Sequence, residues 1–348
     1  MLTCSCGICG AQANILFKKH WSFKAPATFD IYDCSNCETR FVSPMEVDAG
    51  VYDLIYEHAD KVPGYKRYER YRQHLKKAAD PLDYMARQED VYWSIREVLR
   101  QITVPRLGRP RILEIGSGLG YLTYALQRAG YDCHGIDIST QAVAAARRDF
   151  GDFYSVMDLM EMHAEGIDGF DLIIATELIE HVTDPQALLE KAQGLLKHGG
   201  RLIMTTPNKD LYSERFVWHT DPPPVHLWWF SKTSMRRMAW DLGMSVGFVD
   251  FSGFYGFKKK ESLGPTKPQT FDANGKIKFR DTALNTLARA LVEKIPGMFK
   301  VMAKLFIRAK GVGKMRSVLY RDSLSLCIVM QKTGAPGMHE TLPDRPNT

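Results

Sequence analysis

A strand, a glycine-rich turn and a helix follow one another in the middle of this chain, and this succession limits the folds open to it. Residues 111–115 have the pattern of a buried strand, and residues 121–129 have the apolar spacing of an amphipathic helix. Between them, Gly116-Ser-Gly-Leu-Gly120 supplies a turn at which backbone can approach a ligand closely. Position 121 is Tyr, so the spacing departs from the G-x-G-x-x-G dinucleotide fingerprint and disfavours a dehydrogenase.

Strands and helices continue to alternate after this turn. The sequence predicts strands over 133–137, 153–156, 170–175, 201–205 and 245–251, with helices over 140–150, 184–200 and 231–242. A last strand is predicted at Ser323–Gln331. Alternation of this kind predicts right-handed βαβ units around a mainly parallel sheet.

Composition divides the 348 residues into segments. We predict a cysteine module (1–45), a Tyr-rich helical linker or lid (46–105), an α/β domain (106–333) that carries a basic helical insertion (256–321), and a flexible tail (334–348). Tyr65, Tyr68 and Tyr71 share one helical face in the linker, as a lid over a ligand or as a packing stripe.

The net charge of +6 is unevenly distributed. Residues 257–321 hold 16 Lys plus Arg against 4 Asp plus Glu, a local balance of +12 that leaves −6 for the rest. The apolar faces of two predicted helices, 282–295 and 298–309, alternate with basic faces. Three interpretations stay open for this segment: a cover packed on the domain, contact with an anionic membrane surface, or binding of nucleic acid, which the acidic remainder disfavours.

No apolar run approaches the ~20 residues that span a bilayer, and the N-terminus lacks the basic and apolar regions of a leader peptide. The chain is therefore expected in the cytoplasm, with possible peripheral contact at the inner membrane face.

Two acidic residues follow the second and third predicted strands. Asp137 stands 21 residues after Gly116, where a carboxylate accepts hydrogen bonds from the hydroxyls of a ribose. Asp158 comes after the third strand, in a position to receive an exocyclic adenine amine. Because parallel strands end at one edge of a sheet, both carboxylates are expected beside the glycine turn.

These motifs resemble the class I S-adenosylmethionine-dependent methyltransferases over about residues 88–251 and the final strand. The resemblance is carried by Ile112-Leu-Glu-Ile-Gly-Ser-Gly-Leu-Gly120, Gly135-Ile-Asp137, Phe170-Asp-Leu-Ile-Ile174 and Leu195-Leu-Lys-His-Gly-Gly-Arg-Leu202. It implies an α/β fold with a Rossmann-like seven-stranded sheet whose last strand is antiparallel. It also implies S-adenosyl-L-methionine as cofactor, bound by Glu114, Gly116, Ser117, Gly118, Gly120, Asp137, Ile138, Asp158, Leu159 and Thr176.

A cluster of acids and histidines follows the fourth predicted strand. Glu177, Glu180 and His181 form an E-x-x-E-H segment, and His226 precedes Leu-Trp-Trp-Phe. The segment resembles that of the ubiquinone-pathway O-methyltransferases (the UbiG-like branch) and of small-RNA 2′-O-methyltransferases, which implies a divalent-cation site for Mg²⁺ or another ion. His181 as a base without metal and a purely structural cluster remain the alternatives.

Two C-x-x-C pairs near the N-terminus predict a zinc ribbon. Cys6 and Cys9 form the first pair, and Cys34 and Cys37 follow after 24 intervening residues. Four thiolates at this spacing favour a closed, structural tetrahedral site over a disulfide framework. Cys4 is a spare thiol able to replace Cys6.

The sequence therefore predicts a methyltransferase that acts on a small-molecule, glycan or lipid-linked hydroxyl. C-methylation of a nucleotide sugar is the alternative within the family. A nucleic-acid-binding or RNA-modifying zinc-ribbon protein is the alternative from another class.

Overall fold

The computed structural model describes residues 3–57, 66–102, 109–163, 169–211, 222–255, 269–271, 277–279 and 323–332. The strands in these ranges are β1 Thr3–Ser5, β2 Gln12–Trp21, β3 Thr28–Asp33, β4 Arg40–Ser43, β5 Arg111–Ile115, β6 Asp132–Asp137, β7 Tyr154–Val156, β8 Phe170–Thr176, β9 Leu196–Pro207, β10 Trp228–Trp229, β11 Met244–Phe248, β12 Gln269–Phe271, β13 Ile277–Phe279 and β14 Ser325–Lys332. The helices are α1 Ala49–Glu57, α2 Lys66–His74, α3 Pro81–Gln88, α4 Asp90–Gln101, α5 Tyr121–Arg128, α6 Thr140–Phe150, α7 Pro185–Leu195, α8 Lys232–Asp241 and α9 Ser252–Tyr255.

A seven-stranded sheet has the order β11-β14-β9-β8-β5-β6-β7. The pairs from β9 to β7 are parallel, whereas β14 is antiparallel to both β9 and β11. The predicted α/β class, the seven-stranded sheet and its antiparallel last strand are thus confirmed. Strands β6 and β7 lie on one side of β5, and β8, which follows them in sequence, lies on its other side. The strand order therefore reverses between β5 and β8.

Helix starts in this domain are fixed by side-chain caps. Ser139 accepts from the amide of Ala142 at the start of α6, and Asp184 accepts from the amide of Ala187 at the start of α7. Pro185 at the first position of α7 has no N–H to satisfy, as the sequence predicted. These caps place the end of each preceding strand and the start of each following helix at one edge of the sheet.

Apolar side chains cover both faces of the seven-stranded sheet. Ile173 on β8 belongs to a buried cluster with Leu189 of α7, and the next residue, Ile174, belongs to another with Leu122 of α5. Neighbouring strand residues point to opposite faces, so a strand buried on both sides reads as a continuous apolar run. The sheet is thereby held as a rigid support for the loops at its edge.

The boundary between α7 and β9 differs from the prediction. The helix ends at Leu195 instead of reaching residue 200, and β9 begins at Leu196 instead of Arg201. The pairing of β9 with β8 shifts between Phe170 and Leu172, which marks a bulge over the intervening residues of β9. Gly199, at φ +74°, lies in this bulge, so the glycine pair bends a strand and does not terminate the helix.

The N-terminal module is a second sheet, of order β1-β2-β3-β4-β10. Its fifth strand, Trp228–Trp229, comes from more than 180 residues further along the chain and pairs antiparallel with β4. The sequence did not reveal this strand because two residues carry no periodicity. The module is consequently joined by backbone hydrogen bonds to the part of the chain that follows β9.

The two predicted helices 282–295 and 298–309 lie outside the described residues, as do Tyr65 and the tail. Within the insertion, the described strands β12 and β13 pair antiparallel. None of the helices in the described ranges combines the length and apolar character of a bilayer-crossing segment. Membrane contact through residues 257–321 stays a prediction.

Candidate active site

A cavity of about 860 Å³ opens at the carboxyl edge of the large sheet. Its wall includes the turn after β5, the ends of β6 and β8, and residues of α1, α2 and α4. Ligands in sheets of this kind bind outside the carboxyl ends of the strands where the strand order reverses, and β5 and β8 flank that position here. The volume lies in the range of small-molecule sites, so the cavity is large enough for a nucleoside and a second small reactant.

The glycine turn forms the floor of the cavity. Gly116 and Gly118 have φ of +71° and +50°, values that other residues adopt only with strain. The amides of Gly116 and Ser117 both donate to the carbonyl of Ile136, at 2.9 and 3.0 Å. A Cβ on Gly116 would lie 3.0 Å from a methyl carbon of Leu178, so glycine also permits close packing against the segment after β8.

Asp137 closes the turn from the end of β6. One carboxylate oxygen accepts from the amide of Gly118 and the other from the amide of Ser139, each at 2.8 Å. Burial raises the pKa of Asp137, and the two amide hydrogen bonds oppose this rise. Each oxygen can accept a further hydrogen bond, and the residue lines the cavity.

The other predicted cofactor residues are distributed along the same wall. Ile138 projects with 75% of its surface exposed, and Leu159 is buried beneath the mouth. The Asp158 side chain accepts from the amide of Met160 in its own turn and lines the cavity, and its contact with an adenine amine stays a prediction. Thr176, at the end of β8, also lines the cavity.

Glu114 and Gly120 are further from the opening. Glu114 is buried on β5, where Thr123 donates to it and burial raises its pKa to about 8. Gly120 is not among the described residues that line the cavity. A Cβ there would collide with Tyr154 and Ala146 at 2.6 and 2.7 Å, and Tyr154 donates to its carbonyl. This glycine allows α5 to pack against α6 and β7, and its contact with the cofactor stays a prediction.

Residues of the Tyr-rich linker cover the cavity. Tyr68 stacks on Tyr121 with ring centroids 5.9 Å apart, and the Tyr121 hydroxyl donates to the Tyr68 carbonyl at 2.8 Å. Tyr71 is fully buried, as expected of a packing residue, whereas Tyr68 lines the cavity. The burial of Tyr71 fits the packing alternative, whereas the lid function of Tyr68 stays a prediction.

An ion pair in this cover was not predicted. The guanidinium of Arg67 is 3.1 Å from the carboxylate of Glu89, and both residues line the cavity. Neither belongs to a recognisable motif. The only sequence signal was that Arg67 adjoins the tyrosine stripe, so the contact depends on how α2 and the start of α4 meet in space.

Three of the four residues in the predicted acid and histidine cluster come together. Ligand atoms of Glu180, His181 and His226 lie within 4.8 Å of one another. The imidazole rings of the two histidines have centroids 4.8 Å apart, and Nε2 of His181 is 3.7 Å from a carboxylate oxygen of Glu180. The other Glu180 oxygen accepts from the Thr206 hydroxyl at 3.0 Å.

The orientation of His181 is fixed by a backbone carbonyl. Its Nδ1 lies 2.5 Å from the carbonyl oxygen of Val225, so Nδ1 carries the proton and donates. Nε2 is then the basic nitrogen, and it belongs to a residue that lines the cavity. Fixing one ring nitrogen to a carbonyl is the usual way to present the other to a metal or a substrate proton.

Glu177 is oriented differently from the three clustered residues. It has φ +49°, unusual for a residue with a side chain, and its amide donates to the carbonyl of Thr205. Burial and the neighbouring Glu180 raise the pKa of its carboxyl, while Arg67 lowers it. Its Oε1 is buried without a hydrogen-bond partner and the residue lines the cavity. Glu177 therefore presents a polar atom to the cavity and is not part of the three-residue group.

The four predicted zinc ligands converge at the N-terminal module. Sulfur atoms of Cys6 and Cys37 are 3.6 Å apart, those of Cys9 and Cys34 are 3.5 Å apart, and all four lie within 4.8 Å of one another. A tetrahedral zinc with ~2.3 Å bonds requires sulfur separations of roughly 3.8 Å. The thiol group thus has the dimensions of a zinc site.

The two cysteine turns are built alike. The residues after Cys9 and Cys37 are Gly10 and Glu38, with φ of +72° and +58°, so each turn closes through the same left-handed position. Cys4 lies outside the group and its thiol contacts the carbonyl of Ser5. Cys6, rather than Cys4, therefore completes the set.

The family model of the methyltransferase domain matches residues 66–246, more than half of the 348 residues. The chain belongs to this methyltransferase domain family. Its sequence is 31% identical over 183 residues to the human mitochondrial ubiquinone biosynthesis O-methyltransferase, a match that covers 46% of this chain and 49% of that protein. It is 33% identical over 104 residues to the ubiquinone biosynthesis O-methyltransferase of Xanthomonas axonopodis pv. citri, covering 28% of this chain and 44% of the relative.

The chain spans about half the length of the curated relatives it matches. Among solved structures, a SAM-dependent methyltransferase from Archaeoglobus fulgidus aligns with a TM-score of 0.45 and 15% identity, over 76% of this chain and 99% of that one. The Haemonchus contortus phosphoethanolamine N-methyltransferase 2 aligns with a TM-score of 0.41 and 18% identity, over 69% of this chain and 52% of that one.

Proposed function

We propose that this protein transfers the methyl group of S-adenosylmethionine to a hydroxyl of a small-molecule, glycan or lipid-linked acceptor. The observation that carries the proposal is one cavity that joins the glycine turn and Asp137 to His181. Two buried polar atoms of residues in its wall, Oγ of Ser117 and Oε1 of Glu177, have no hydrogen-bond partner within the described part of the chain. Such atoms fit a site that receives a polar ligand.

The residues on the cofactor side of the cavity and those on the acceptor side have separate tasks. When bound, S-adenosylmethionine supplies an electrophilic methyl group on a sulfonium. The glycine turn leaves space for the methionine portion of the cofactor, and the carboxylate of Asp137 accepts hydrogen bonds from the ribose hydroxyls. Tyr68 and Tyr52, on α2 and α1, cover the opening and exclude water, which favours alignment of the acceptor with the methyl carbon.

His181 is the group that removes the acceptor proton. With the cofactor bound, Nε2 of His181 would take the proton of the acceptor hydroxyl as that oxygen is methylated, and S-adenosylhomocysteine would be the leaving group. The Val225 carbonyl accepts from Nδ1 and stabilises the imidazolium that results. Positioned bases of this type contribute about 10²–10⁴-fold to the rate.

A divalent cation at Glu180, His181 and His226 is the second form of the same proposal. The carboxylate and imidazole donors, within 4.8 Å of one another, suit Mg²⁺, Mn²⁺ or Zn²⁺. A cation held there lowers the pKa of an acceptor hydroxyl. Burial lowers the pKa of His226, so this imidazole is neutral, as a metal ligand must be.

Methyl transfer is tested with methyl-labelled S-adenosylmethionine and a panel of phenols, saccharides and prenyl-linked alcohols. A phenolic precursor of ubiquinone is tested first, because the relatives are ubiquinone biosynthesis O-methyltransferases. The proposal expects labelled product whose methyl is on oxygen, identified by carbon-13 chemical shift. A labelled methyl on a carbon atom of a nucleotide sugar supports the C-methyltransferase alternative. Labelled RNA supports the RNA-modifying alternative.

We also propose that the four cysteines of the N-terminal module hold one structural zinc ion. Cys6, Cys9, Cys34 and Cys37 would supply four thiolates, and a site closed by four protein ligands has no position for a substrate. Metal binding would supply folding free energy to the module, because the four thiolates are brought together only in the folded state.

Zinc content separates the true ligands from the spare cysteine. The purified protein is expected to hold about one zinc per chain by elemental analysis, and Cys34→Ser to lose it, because a hydroxyl is a poor zinc ligand. The matched variant Cys4→Ser should retain the metal, since Cys4 lies outside the group. Loss of zinc in Cys4→Ser alone, or a folded protein that never contains zinc, contradicts the assignment.

A further inference from the structure

Residues 222–230, here called the bridging segment, connect the zinc module to the acid and histidine cluster. All nine residues are buried. The segment contains His226 and ends in β10 and Phe230. It is thus the piece of chain that brings His226 to His181 and at the same time completes the N-terminal sheet.

Backbone hydrogen bonds fix the segment to the zinc module. The amide of Phe23 donates to the carbonyl of Pro223 at 2.7 Å, and the amide of Val42 donates to the carbonyl of Leu227 at 3.1 Å. Trp228 pairs with Phe41 across β10 and β4. The module therefore holds the segment on both sides of His226.

A second set of hydrogen bonds fixes the segment to the turn that carries Glu180 and His181. The amide of Leu227 donates to the carbonyl of Glu180 at 2.8 Å. The carbonyl of Val225 accepts from His181, and the indole Nε1 of Trp228 donates to the carbonyl of Val182 at 2.8 Å. Glu180, His181 and Val182 therefore each make a hydrogen bond to the bridging segment.

The indole of Trp228 also reaches the first cysteine turn. An ideal Cβ built on Gly7 lies 3.0 Å from Cη2 of Trp228, so the backbone between Cys6 and Cys9 rests on the ring. The same ring packs on Phe41 and stacks on Phe230, with centroids 5.7 and 6.1 Å away. One side chain is therefore in contact with the cysteine turn, the module sheet and the turn after His181.

We infer that Trp228 is a positioning residue that transmits the geometry of the four-cysteine turns to His181 and His226. The inference rests on the proposed function, because it assigns a purpose to the cluster that the function uses. Its physical basis is that the cysteine turn limits where the indole lies and the indole N–H fixes the carbonyl next to His181. Within the described residues Trp228 does not line the cavity, so the affinity for the cofactor should be unaffected.

The test is Trp228→Phe, which keeps an aromatic ring on Phe41 and removes the indole N–H. Nitrogen-15 NMR of the histidine side chains reports the tautomer of His181, assigned with a His181→Gln spectrum, with no divalent cation added. The wild type should show the Nδ1–H form, and Trp228→Phe should shift His181 towards the Nε2–H form. Amide exchange of residues 225–230, which follow the three prolines of the segment, should become about fivefold faster, the effect of one net hydrogen bond.

Gly7→Ala is the second variant, since it keeps every cysteine and the tryptophan. Its methyl group pushes the cysteine turn and the indole apart by a few tenths of an ångström. The same change at His181 is expected. Trp240→Phe, on α8 and 36% exposed, is the matched control and should leave the His181 tautomer unchanged.

Zinc content and affinity for S-adenosylhomocysteine complete the measurements. The inference expects both to stay within about twofold of the wild type in Trp228→Phe, because the four thiolates and the cofactor wall are untouched. An unchanged His181 tautomer in both Trp228→Phe and Gly7→Ala overturns the inference. Amide exchange in Trp228→Phe that is equally faster over residues 111–137 also overturns it, because that result indicates a purely structural role. If the wild type binds no S-adenosylhomocysteine, the proposed function fails. The tautomer measurement still decides whether Trp228 positions His181.

Discussion

Asp137→Asn is expected to weaken binding of S-adenosylmethionine and S-adenosylhomocysteine by about a hundredfold or more. The substitution preserves volume but removes the negative charge and turns one of two acceptor oxygens into a donor. Hydrogen bonds to a charged group contribute about 1.5–3 kcal/mol each, so the loss of two such bonds corresponds to at least two powers of ten. Calorimetric titration with S-adenosylhomocysteine measures the effect without any acceptor.

Asp152→Asn is the matched control for this measurement. Its carboxylate is 87% exposed and pairs with Arg147 on the protein surface, away from the cavity wall. The control should bind S-adenosylhomocysteine as the wild type does. Equal affinities of Asp137→Asn and the control would remove the ribose assignment and with it the proposed orientation of the cofactor.

His181→Gln is expected to lower the rate of methyl transfer by about 10²–10⁴-fold and to leave cofactor affinity unchanged. Glutamine keeps a polar side chain near the Val225 carbonyl but offers no basic nitrogen at the Nε2 position. The rate is measured as S-adenosylhomocysteine release with whichever hydroxyl compound the labelled assay identifies, at saturating cofactor. A loss of kcat without a change in cofactor affinity is the signature of a residue on the acceptor side.

His198→Gln is the control for general effects of removing an imidazole, because His198 is exposed in the bulge of β9. Chelation by EDTA then separates the two forms of the mechanism. If a cation acts at the cluster, EDTA lowers the wild-type rate and added Mn²⁺ restores it. If His181 acts alone, EDTA has no effect under conditions in which elemental analysis shows that the zinc of the four cysteines is retained. Full activity in His181→Gln contradicts both forms.

The fold could be predicted from sequence because its signals are local and repeated. The apolar runs of β5 and β8, the glycine turn and the Asp184–Pro185 cap each specify a short piece of backbone, and right-handed connection of the pieces leaves few arrangements. The boundary of β9 was missed because a glycine pair after a helix predicts a stop, while only the pairing with β8 shows that the glycines form a bulge.

The candidate site was predictable where its residues follow strand ends and not where they meet across the chain. The sequence places Asp137 and Glu180 at the sheet edge. It could not show that Glu177 lies outside the group of Glu180, His181 and His226, because the path of the backbone there depends on one dihedral, φ +49° at Glu177. Nor could it show the Arg67–Glu89 pair or the joining of Trp228–Trp229 to the N-terminal sheet, which bring together residues far apart in sequence.

The position of β14 in the large sheet affects the order in which the protein can be assembled on the ribosome. This strand lies between β9 and β11 and pairs with both, although about 75 residues separate it from β11 in the chain. Until residues 325–332 have emerged, one long edge of β9 has no neighbour, and an open strand edge of that length attracts other chains. The sheet is therefore completed only after residues 325–332 have been synthesised, and β9 is an open edge in the nascent protein until then.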